Sequence, residues 1–181
     1  MKRENVLSKL DSQEVWDVII IGGGASGLGT AIESVTRGYK TLLLEQHDFT
    51  KGTSSRSTKL VHGGVRYLSQ GNIPLVFEAL RERGFLKKNA PHLVSNLSFL
   101  IHSYSWWSIP FYKIGLTVYD LLAWRLSFGR SKPQTRSKTI AHIPTINKNN
   151  LKGSVLYHDG QFDDSRLGIN MSQTILEKGG V

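Results

Sequence analysis

The order of apolar and polar positions predicts alternating strands and helices in the first part of the chain. Val18 to Ile21 is a wholly apolar, β-branched run, which predicts a strand buried on both faces of a parallel sheet. A helix is expected from Leu28 to Gly38, closed by a basic residue and a glycine. A second strand is expected from Thr41 to Glu45. This βαβ order predicts an α/β fold.

The rest of the chain mixes both kinds of element. The polar residues 46–58 predict a long loop, and loops of that length are often functional. Pro74 is suited to a first helical turn and opens a predicted helix with Leu75, Ala79 and Leu86 on one face. The other predicted elements are a strand over 97–101, helical structure over 110–124, a connection over 139–146, a strand over 154–157 and a helix over 165–178.

Between the first strand and helix, the glycines have the G-x-G-x-x-G spacing of a dinucleotide cradle. Gly22 permits a tight turn, Gly24 lets the backbone approach a pyrophosphate, and Gly27 lets the helix pack closely on the strand. Glu45 ends the second strand where a ribose hydroxyl is usually bound, and its charge disfavours a 2′-phosphate. The spacing therefore predicts FAD or NAD and does not choose between them. The candidate cofactor-binding residues here are Gly22, Gly23, Gly24, Ala25, Ser26, Gly27, Glu45 and Gln46.

A second segment with candidate chemistry runs from Gly52 to Leu68. Its hydroxyls, Ser54 and Ser55 among them, suit phosphates and a ribityl chain. The Gly63-Gly64 pair would let the backbone lie against a flat ring, and Arg66 offers a planar fork for a phosphate or carboxylate. The alternative is a Ser/Thr-rich loop leading into an ordinary strand.

Charge is unevenly distributed along the 181 residues, whose formal net charge is +9. From Leu121 to His158 there is no Asp or Glu, which allows a solvated basic loop or attraction to anionic lipid or substrate. Nucleic acid is disfavoured, because no binding module accompanies the charge. The basic residues of this segment are Arg125, Arg130, Lys132, Arg136, Lys138, Lys148 and Lys152.

Several patterns limit the other classes of function. The chain has no cysteine, and its histidines lack metal-ligand spacing, so no metal site is expected. Asp163 and Asp164 are interpreted as the N-terminal cap of the last helix. The aromatic residues 106–124 fit either a membrane interface or packed core. No signal peptide and no run of about 18 apolar residues is recognisable.

The sequence also resembles a known family, the amino-terminal part of the FAD-dependent glycerol-3-phosphate dehydrogenases, within the D-amino-acid-oxidase-like flavoproteins. The most specific of the matching blocks is Thr53-Ser-Ser55 followed by His62-Gly-Gly-Val-Arg-Tyr-Leu68. The others are 21–38, Leu44-Glu45, Glu78-Ala-Leu-Arg-Glu-Arg83, Ala90-Pro-His-Leu93 and Asp159-Gly-Gln-Phe-Asp-Asp-Ser-Arg-Leu167. Two positions depart from the family pattern, namely Leu28 and Glu33.

The resemblance implies a Rossmann-like FAD-binding domain and a reaction. In the family, FAD takes a hydride from sn-glycerol 3-phosphate, giving dihydroxyacetone phosphate, and the electrons pass to a quinone or to oxygen. By motif position, Ser54, Ser55, Lys59, His62 and Gly63 would lie along FAD. Arg66 would face the substrate phosphate with Tyr67 beside it.

The same resemblance leads us to expect a fragment, because a strand is expected to begin at Val181 and the family's general base lies beyond it. The expected domains are an N-terminal arm (1–15), the first part of the FAD-binding domain (16–95), part of a substrate or cap region (96–160) and a returning helix (161–181). A cytoplasmic protein that is peripheral on the cytoplasmic membrane and forms a homodimer is expected. The alternatives are an FAD-dependent amine or hydroxy-acid oxidase and a non-catalytic FAD-binding fragment.

Overall fold

The computed structural model describes residues 3–12 and 15–181, which form two compact units. The first unit contains the described residues up to Lys59 together with Asp163–Val181, and the second contains Leu60–Phe162. The predicted boundary between residues 95 and 96 does not coincide with this division, whereas the one between 160 and 161 lies two residues from it. The assignment of domains by function stays a prediction.

The first unit is built on a parallel βαβ arrangement. Strand β1 (Val18–Ile21) pairs with β2 (Thr41–Leu44), and α2 (Ala25–Thr36) connects them. Helix α2 begins three residues before the expected position, directly at the glycine turn. It packs on the last helix, α7 (Asp164–Glu177). The core between them is formed by Leu28, Ala31, Val35 and Ile175.

The expectation that β1 is buried on both faces is wrong. Ile19 and Ile21 are 57% and 88% exposed, whereas Ile20 packs into the core. Alternate residues of a strand point to opposite faces, and within the described residues the helical core covers the Ile20 face. An all-apolar strand therefore has one face packed and one face open to solvent.

Both ends of α7 match the sequence expectation. Asp163 caps its first turn, because its carboxylate accepts a hydrogen bond from Arg166 N at 2.9 Å. After the helix, Val181 N donates to Thr41 O and Val181 O accepts from Leu43 N, at 3.0 and 2.7 Å. These two bonds are the ladder of a parallel neighbour of β2. Near the chain start, the predicted arm forms helix α1 (Arg3–Ser12), while residues 1, 2, 13 and 14 lie outside the described residues.

The second unit is an antiparallel sheet centred on β6 (Gly153–Phe162). Strand β4 (Val94–Ser103) pairs with β6 over ten residues, so both strands are longer than expected. On the other side, β6 pairs with β3 (Leu60–Val61) and β5 (Lys132–Thr135). Strand β5 was not predicted, and its Pro133 suits an edge strand.

Two long helices accompany this sheet. Helices α4 (Ile73–Asn89) and α5 (Ser108–Ala123) bury a cluster of Val76, Leu80, Tyr119 and Ala123. Of the residues predicted to share one face of α4, Leu75 is 40% exposed and Ala79 and Leu86 are half-buried, whereas the buried set includes Arg83. A charged residue at a core position disguised the helical period, because buried arginine is rare.

The predicted connection over residues 139–146 is also wrong in part. Helix α6 (Arg136–His142) occupies its first half. Thr135 caps this helix, and the buried Thr139 hydroxyl bonds to Thr135 O and to Ser154 Oγ. The one-turn helix α3 (Val65–Leu68) likewise replaces any ordinary strand after β3.

Candidate functional site

The turn between β1 and α2 is shaped by three glycines with different constraints. Gly22 has φ +111°, in the region that favours glycine, and its N–H donates to Leu44 O at 2.8 Å. A Cβ on Gly27 would lie 1.9 Å from Gly22 O, so α2 can only approach the strand this closely with glycine there. A Cβ on Gly24 would approach Ser54 Oγ to 3.2 Å. At the start of α2, the backbone of this turn is therefore not covered by side chains of its own at these three positions.

The carboxylate that ends β2 is held beside this turn. Glu45 Oε2 accepts a hydrogen bond from Gly23 N at 2.7 Å, and Oε1 accepts one from His47 N at 2.8 Å. The Gly23 amide, followed by the His47 amide, holds the pKa of the Glu45 carboxyl below its ordinary value. Glu45 is thus an ionised acceptor next to the glycine turn. Gln46, the next residue, is exposed.

The hydroxyl-rich loop lies against the start of α2. Ser54, in a short 3-10 turn, accepts a hydrogen bond from Ala25 N at 2.9 Å. Gly24 is the N-cap and has no side chain, so Ser54 takes over part of the capping of the first turn, which also contains Ser26 and Gly27. A cavity of about 400 Å³ is lined here by Gly24, Glu45, His47, Asp48, Thr50, Lys51, Gly52, Thr53, Ser54 and Arg56. Its lining combines cations and hydroxyls, which suit a phosphate beside a helix N-terminus, with the carboxylates of Glu45 and Asp48.

Lys59 has a partner within the protein. Its ammonium forms an ion pair with Asp164 and donates to Ser55 O at 2.5 Å. Burial alone raises the pKa of the Asp164 carboxyl, but hydrogen bonds from Lys59 and Ser57 outweigh it and hold that pKa below its ordinary value. Asp164 is therefore a buried anchor for the 55–59 loop as well as the first residue of α7. The role of Lys59 toward a cofactor stays a prediction.

In the second unit, residues 62–64 form a tight turn between β3 and α3. Gly63 N donates to Tyr119 Oη at 2.8 Å and to Asp159 Oδ1 at 3.2 Å. A Cβ on Gly63 would lie 2.2 Å from Leu80 Cδ2, so the turn packs directly on the α4–α5 core. His62 is exposed, and its Nδ1 accepts a hydrogen bond from Gly64 N at 3.1 Å. His62 therefore carries its ring proton on Nε2 when the imidazole is neutral.

Three residues behind this turn were missed by the sequence analysis as functional candidates. Arg83 pairs with Asp159 at 2.5 Å, and Tyr119 Oη donates to Asp159 Oδ2 at 2.8 Å. Val76, Leu80 and Arg83 follow each other at helical spacing, but a charged side chain at such a position is not expected in the core. No local pattern indicates that Arg83 pairs with Asp159, which lies 76 positions later in the chain.

Arg66 and Tyr67 lie on the exposed side of α3. Arg66 makes no side-chain hydrogen bond or ion pair with any residue that the structure describes, so its guanidinium fork is available to an anion. Tyr67 is 42% exposed. Gly64, with φ +72°, is the N-cap of this one-turn helix.

Helix α5 has two apolar faces rather than one. Leu116, Tyr119 and Ala123 are buried, which agrees with the core interpretation for this face. The other face is exposed and carries the aromatic and apolar residues that the membrane-interface interpretation requires. We call this face, with the flanking aromatics, the aromatic stripe: Trp106, Trp107, Phe111, Ile114, Leu121 and Trp124 are 64 to 85% exposed.

Basic side chains lie next to the aromatic stripe. A cavity of about 540 Å³ beside Leu121 and Trp124 is lined by Lys113, Arg125 and Arg130, and also by Asp120, which accepts a hydrogen bond from Ser131 N. Trp124 also has φ +44°, a left-handed conformation that non-glycine residues rarely adopt. Among residues 3–12 and 15–181, no helix has the length and apolar character required to cross a bilayer.

The chain is similar in sequence to mitochondrial glycerol-3-phosphate dehydrogenases. The rat and human mitochondrial glycerol-3-phosphate dehydrogenases are 41% and 42% identical to it, over 98% of this chain and 25% of their own length. The Saccharomyces cerevisiae protein of that name is 42% identical over 99% of this chain and 29% of its own. The chain thus spans about a quarter of the length of these relatives.

Solved structures show the same relationship. The FAD complex of Bacillus halodurans glycerol-3-phosphate dehydrogenase matches 99% of this chain and 28% of its own, with a TM-score of 0.69 and 29% identity. Mycoplasma pneumoniae L-α-glycerophosphate oxidase matches 93% of this chain and 44% of its own, with a TM-score of 0.64 and 15% identity, which shows the fold alone. The family model described as FAD dependent oxidoreductase (DAO) matches residues 17–181. The chain belongs to this family of FAD-dependent oxidoreductases.

Proposed function

We propose that the protein containing this chain oxidises sn-glycerol 3-phosphate to dihydroxyacetone phosphate with bound FAD as the hydride acceptor. The observation that carries the proposal is the similarity to glycerol-3-phosphate dehydrogenases over 98% of this chain. The geometry supports it, because the glycine turn and Glu45 suit a dinucleotide and the unpaired guanidinium of Arg66 suits a phosphate.

The first unit fits the ADP half of FAD. The bare backbone at Gly24 and the Ser54 hydroxyl at the start of α2 suit the pyrophosphate, which a helix N-terminus attracts. The ionised Glu45 can accept hydrogen bonds from ribose hydroxyls. We assign binding of this half to Gly22, Gly23, Gly24, Ala25, Ser26, Gly27, Glu45 and Gln46.

The remaining assigned residues follow from their match to the family's motifs. Ser54, Ser55, Lys59, His62 and Gly63 are assigned to the rest of the cofactor. Arg66 binds the phosphate of the substrate through its planar fork, and Tyr67 lies beside it. Arg66 and Tyr67 would thus hold and orient glycerol 3-phosphate while the flavin accepts the hydride.

Anaerobic bleaching of the flavin tests this proposal. Glycerol 3-phosphate should remove the visible absorption of the FAD-loaded complete protein, and amino acids should not. Bleaching by an amino acid or by another hydroxy acid would instead favour an oxidase of different specificity. A complete protein that binds FAD but whose flavin no substrate bleaches would instead favour the alternative of a non-catalytic FAD-binding fragment.

We also propose that the protein binds the cytoplasmic membrane surface and delivers electrons to a quinone there. The aromatic stripe, with Lys113, Arg125 and Arg130 nearby, supports contact with a bilayer that carries anionic lipid. Aromatic side chains favour the interface and basic ones the anionic headgroups. A quinone dissolved in the bilayer would be accessible to a protein held there.

Replacing Trp107, which is 85% exposed, with Asp should weaken sedimentation with vesicles of anionic phospholipid roughly tenfold. Tyr39→Asp makes a comparable change at an exposed aromatic outside the stripe, in the first unit, and should leave vesicle binding unchanged. Equal binding of the two variants would argue against the stripe as the membrane contact. A monomer–dimer shift in Trp107→Asp without vesicles would identify it as a contact between copies.

A further inference from the structure

Arg83, Asp159 and Tyr119 form a buried polar group that the proposed reaction does not use. Arg83 is 1% exposed, Asp159 and Tyr119 are each 2% exposed, and they come from α4, β6 and α5. We propose that these three are positioning residues, which fix the His62–Gly64 turn and thereby the orientation of His62 and Arg66. This inference rests on the proposed function, which assigns the turn to the cofactor and Arg66 to the substrate.

The two charges in this group are costly to bury, and they pair with each other. Arg83 Nη1 lies 2.5 Å from Asp159 Oδ1, and its guanidinium lies 4.3 Å from the centre of the Phe128 ring. Arg83 Nε is buried without a hydrogen-bond partner among the described residues. A buried ion pair is weak evidence for stability, since an apolar replacement of the same shape is often as stable. The role of the pair is therefore sought in what the carboxylate holds.

The carboxylate holds the backbone of Gly63. Tyr119 Oη accepts from Gly63 N and donates to Asp159 Oδ2, while Asp159 Oδ1 accepts from Gly63 N as well. Burial, followed by the Asp159 charge, raises the pKa of the Tyr119 hydroxyl, so that it keeps the proton it donates. The Gly63 amide is therefore bound from two directions, and glycine is needed because Leu80 leaves no room for a Cβ.

When the Gly63 N–H is held in place, the orientation of the preceding His62 carbonyl is fixed as well. In a trans peptide, the N–H of Gly63 and the C=O of His62 point in opposite directions. With the N–H bound in the core, the His62 carbonyl is turned away from the core. The Gly64 N–H donates to His62 Nδ1, so the orientation of the imidazole ring is set by the same turn.

Helix α3 continues directly from the turn. Tyr67 N donates to Gly64 O at 2.8 Å, and a Cβ on Gly64 would lie 2.8 Å from the Tyr67 ring, so the turn and the helix are packed as one piece. Arg66 is two residues after Gly64. A rotation at Gly63 would therefore move the Arg66 guanidinium, which has no other described partner to hold it.

Tyr119→Phe tests the proposal, because it removes the hydroxyl and leaves the Arg83–Asp159 pair to maintain the fold. In the complete FAD-loaded protein, we expect the visible circular dichroism of the flavin to change and the KM for glycerol 3-phosphate to rise roughly three- to tenfold. Hydrogen exchange of the Gly63 amide should become faster. FAD content and the unfolding midpoint should stay close to those of the matched control.

Tyr157→Phe is that control, since it removes the hydroxyl of a half-buried tyrosine that neighbours Tyr119. Its ring contacts that of Tyr119 edge to face, but its hydroxyl makes no hydrogen bond to Gly63. The proposal is overturned if the two variants give the same flavin dichroism, KM and Gly63 exchange. If the wild-type flavin does not respond to glycerol 3-phosphate, the proposed function fails, and dichroism and exchange still decide whether the three residues position the turn.

Discussion

The protein should lose FAD when Gly27 is replaced by alanine. The added Cβ would lie 1.9 Å from Gly22 O, far inside the contact distance, and Gly22 itself is held by its hydrogen bond to Leu44 O. Helix α2 must therefore move away from β1, which widens the turn and disturbs its packing on α7. We expect a destabilisation of about 3 kcal/mol or more. The ratio of flavin to protein absorption after gel filtration measures the loss.

Gly29→Ala is the matched control for this prediction. Gly29 lies on the same helix, and a Cβ added there meets no atom within 4 Å. In a helix interior this change stabilises by about 1 kcal/mol. Gly29→Ala should therefore retain FAD. If both variants retain FAD equally, close packing at Gly27 is not what shapes the site.

Arg66→Ala should weaken substrate capture and leave FAD in place. The guanidinium is exposed on α3 and has no partner among the described residues, so its removal leaves the fold intact and takes away a charged fork. Loss of hydrogen bonds to a charged group costs about 1.5–3 kcal/mol, which corresponds to roughly a tenfold to hundredfold rise in KM for glycerol 3-phosphate. Steady-state kinetics on the FAD-loaded protein measure it.

Two further variants define the role of Arg66. Arg66→Lys keeps the charge but not the planar fork, and its KM should lie between those of the wild type and Arg66→Ala. Arg81→Ala removes an exposed arginine that stacks on Phe85 of α4, and its KM should equal that of the wild type. An unchanged KM in Arg66→Ala would remove the assignment of Arg66 to the substrate phosphate.

The parts of the site that lie close together in sequence could be predicted. The strand, the glycine turn and Glu45 depend on spacing within about 30 residues, and the glycine at each position follows from backbone geometry that any cradle of this kind requires. The capping role of Asp163 is local in the same way. These features could be predicted because the geometry required of each residue is set by residues close to it in the chain.

The rest depends on contacts between distant segments. Lys59 pairs with Asp164 and Arg83 pairs with Asp159, over 105 and 76 positions, and no local pattern pairs them. Strand β5 could not be predicted either, because its partner β6 lies later in the chain. The solvent-exposed face of β1 likewise depends on which distant elements pack against the strand. The buried Arg83 also obscured the helical period of α4, because a charged residue in a hydrophobic pattern is assigned to the solvent-exposed face.

We propose that this chain belongs to an enzyme that transfers a hydride from glycerol 3-phosphate to FAD. The most direct test is anaerobic titration of the FAD-loaded complete protein with glycerol 3-phosphate, followed by visible absorption. We predict complete bleaching of the flavin, with one dihydroxyacetone phosphate formed for each flavin reduced. A flavin that stays oxidised with glycerol 3-phosphate, or that is bleached equally by an amino acid, would contradict the claim.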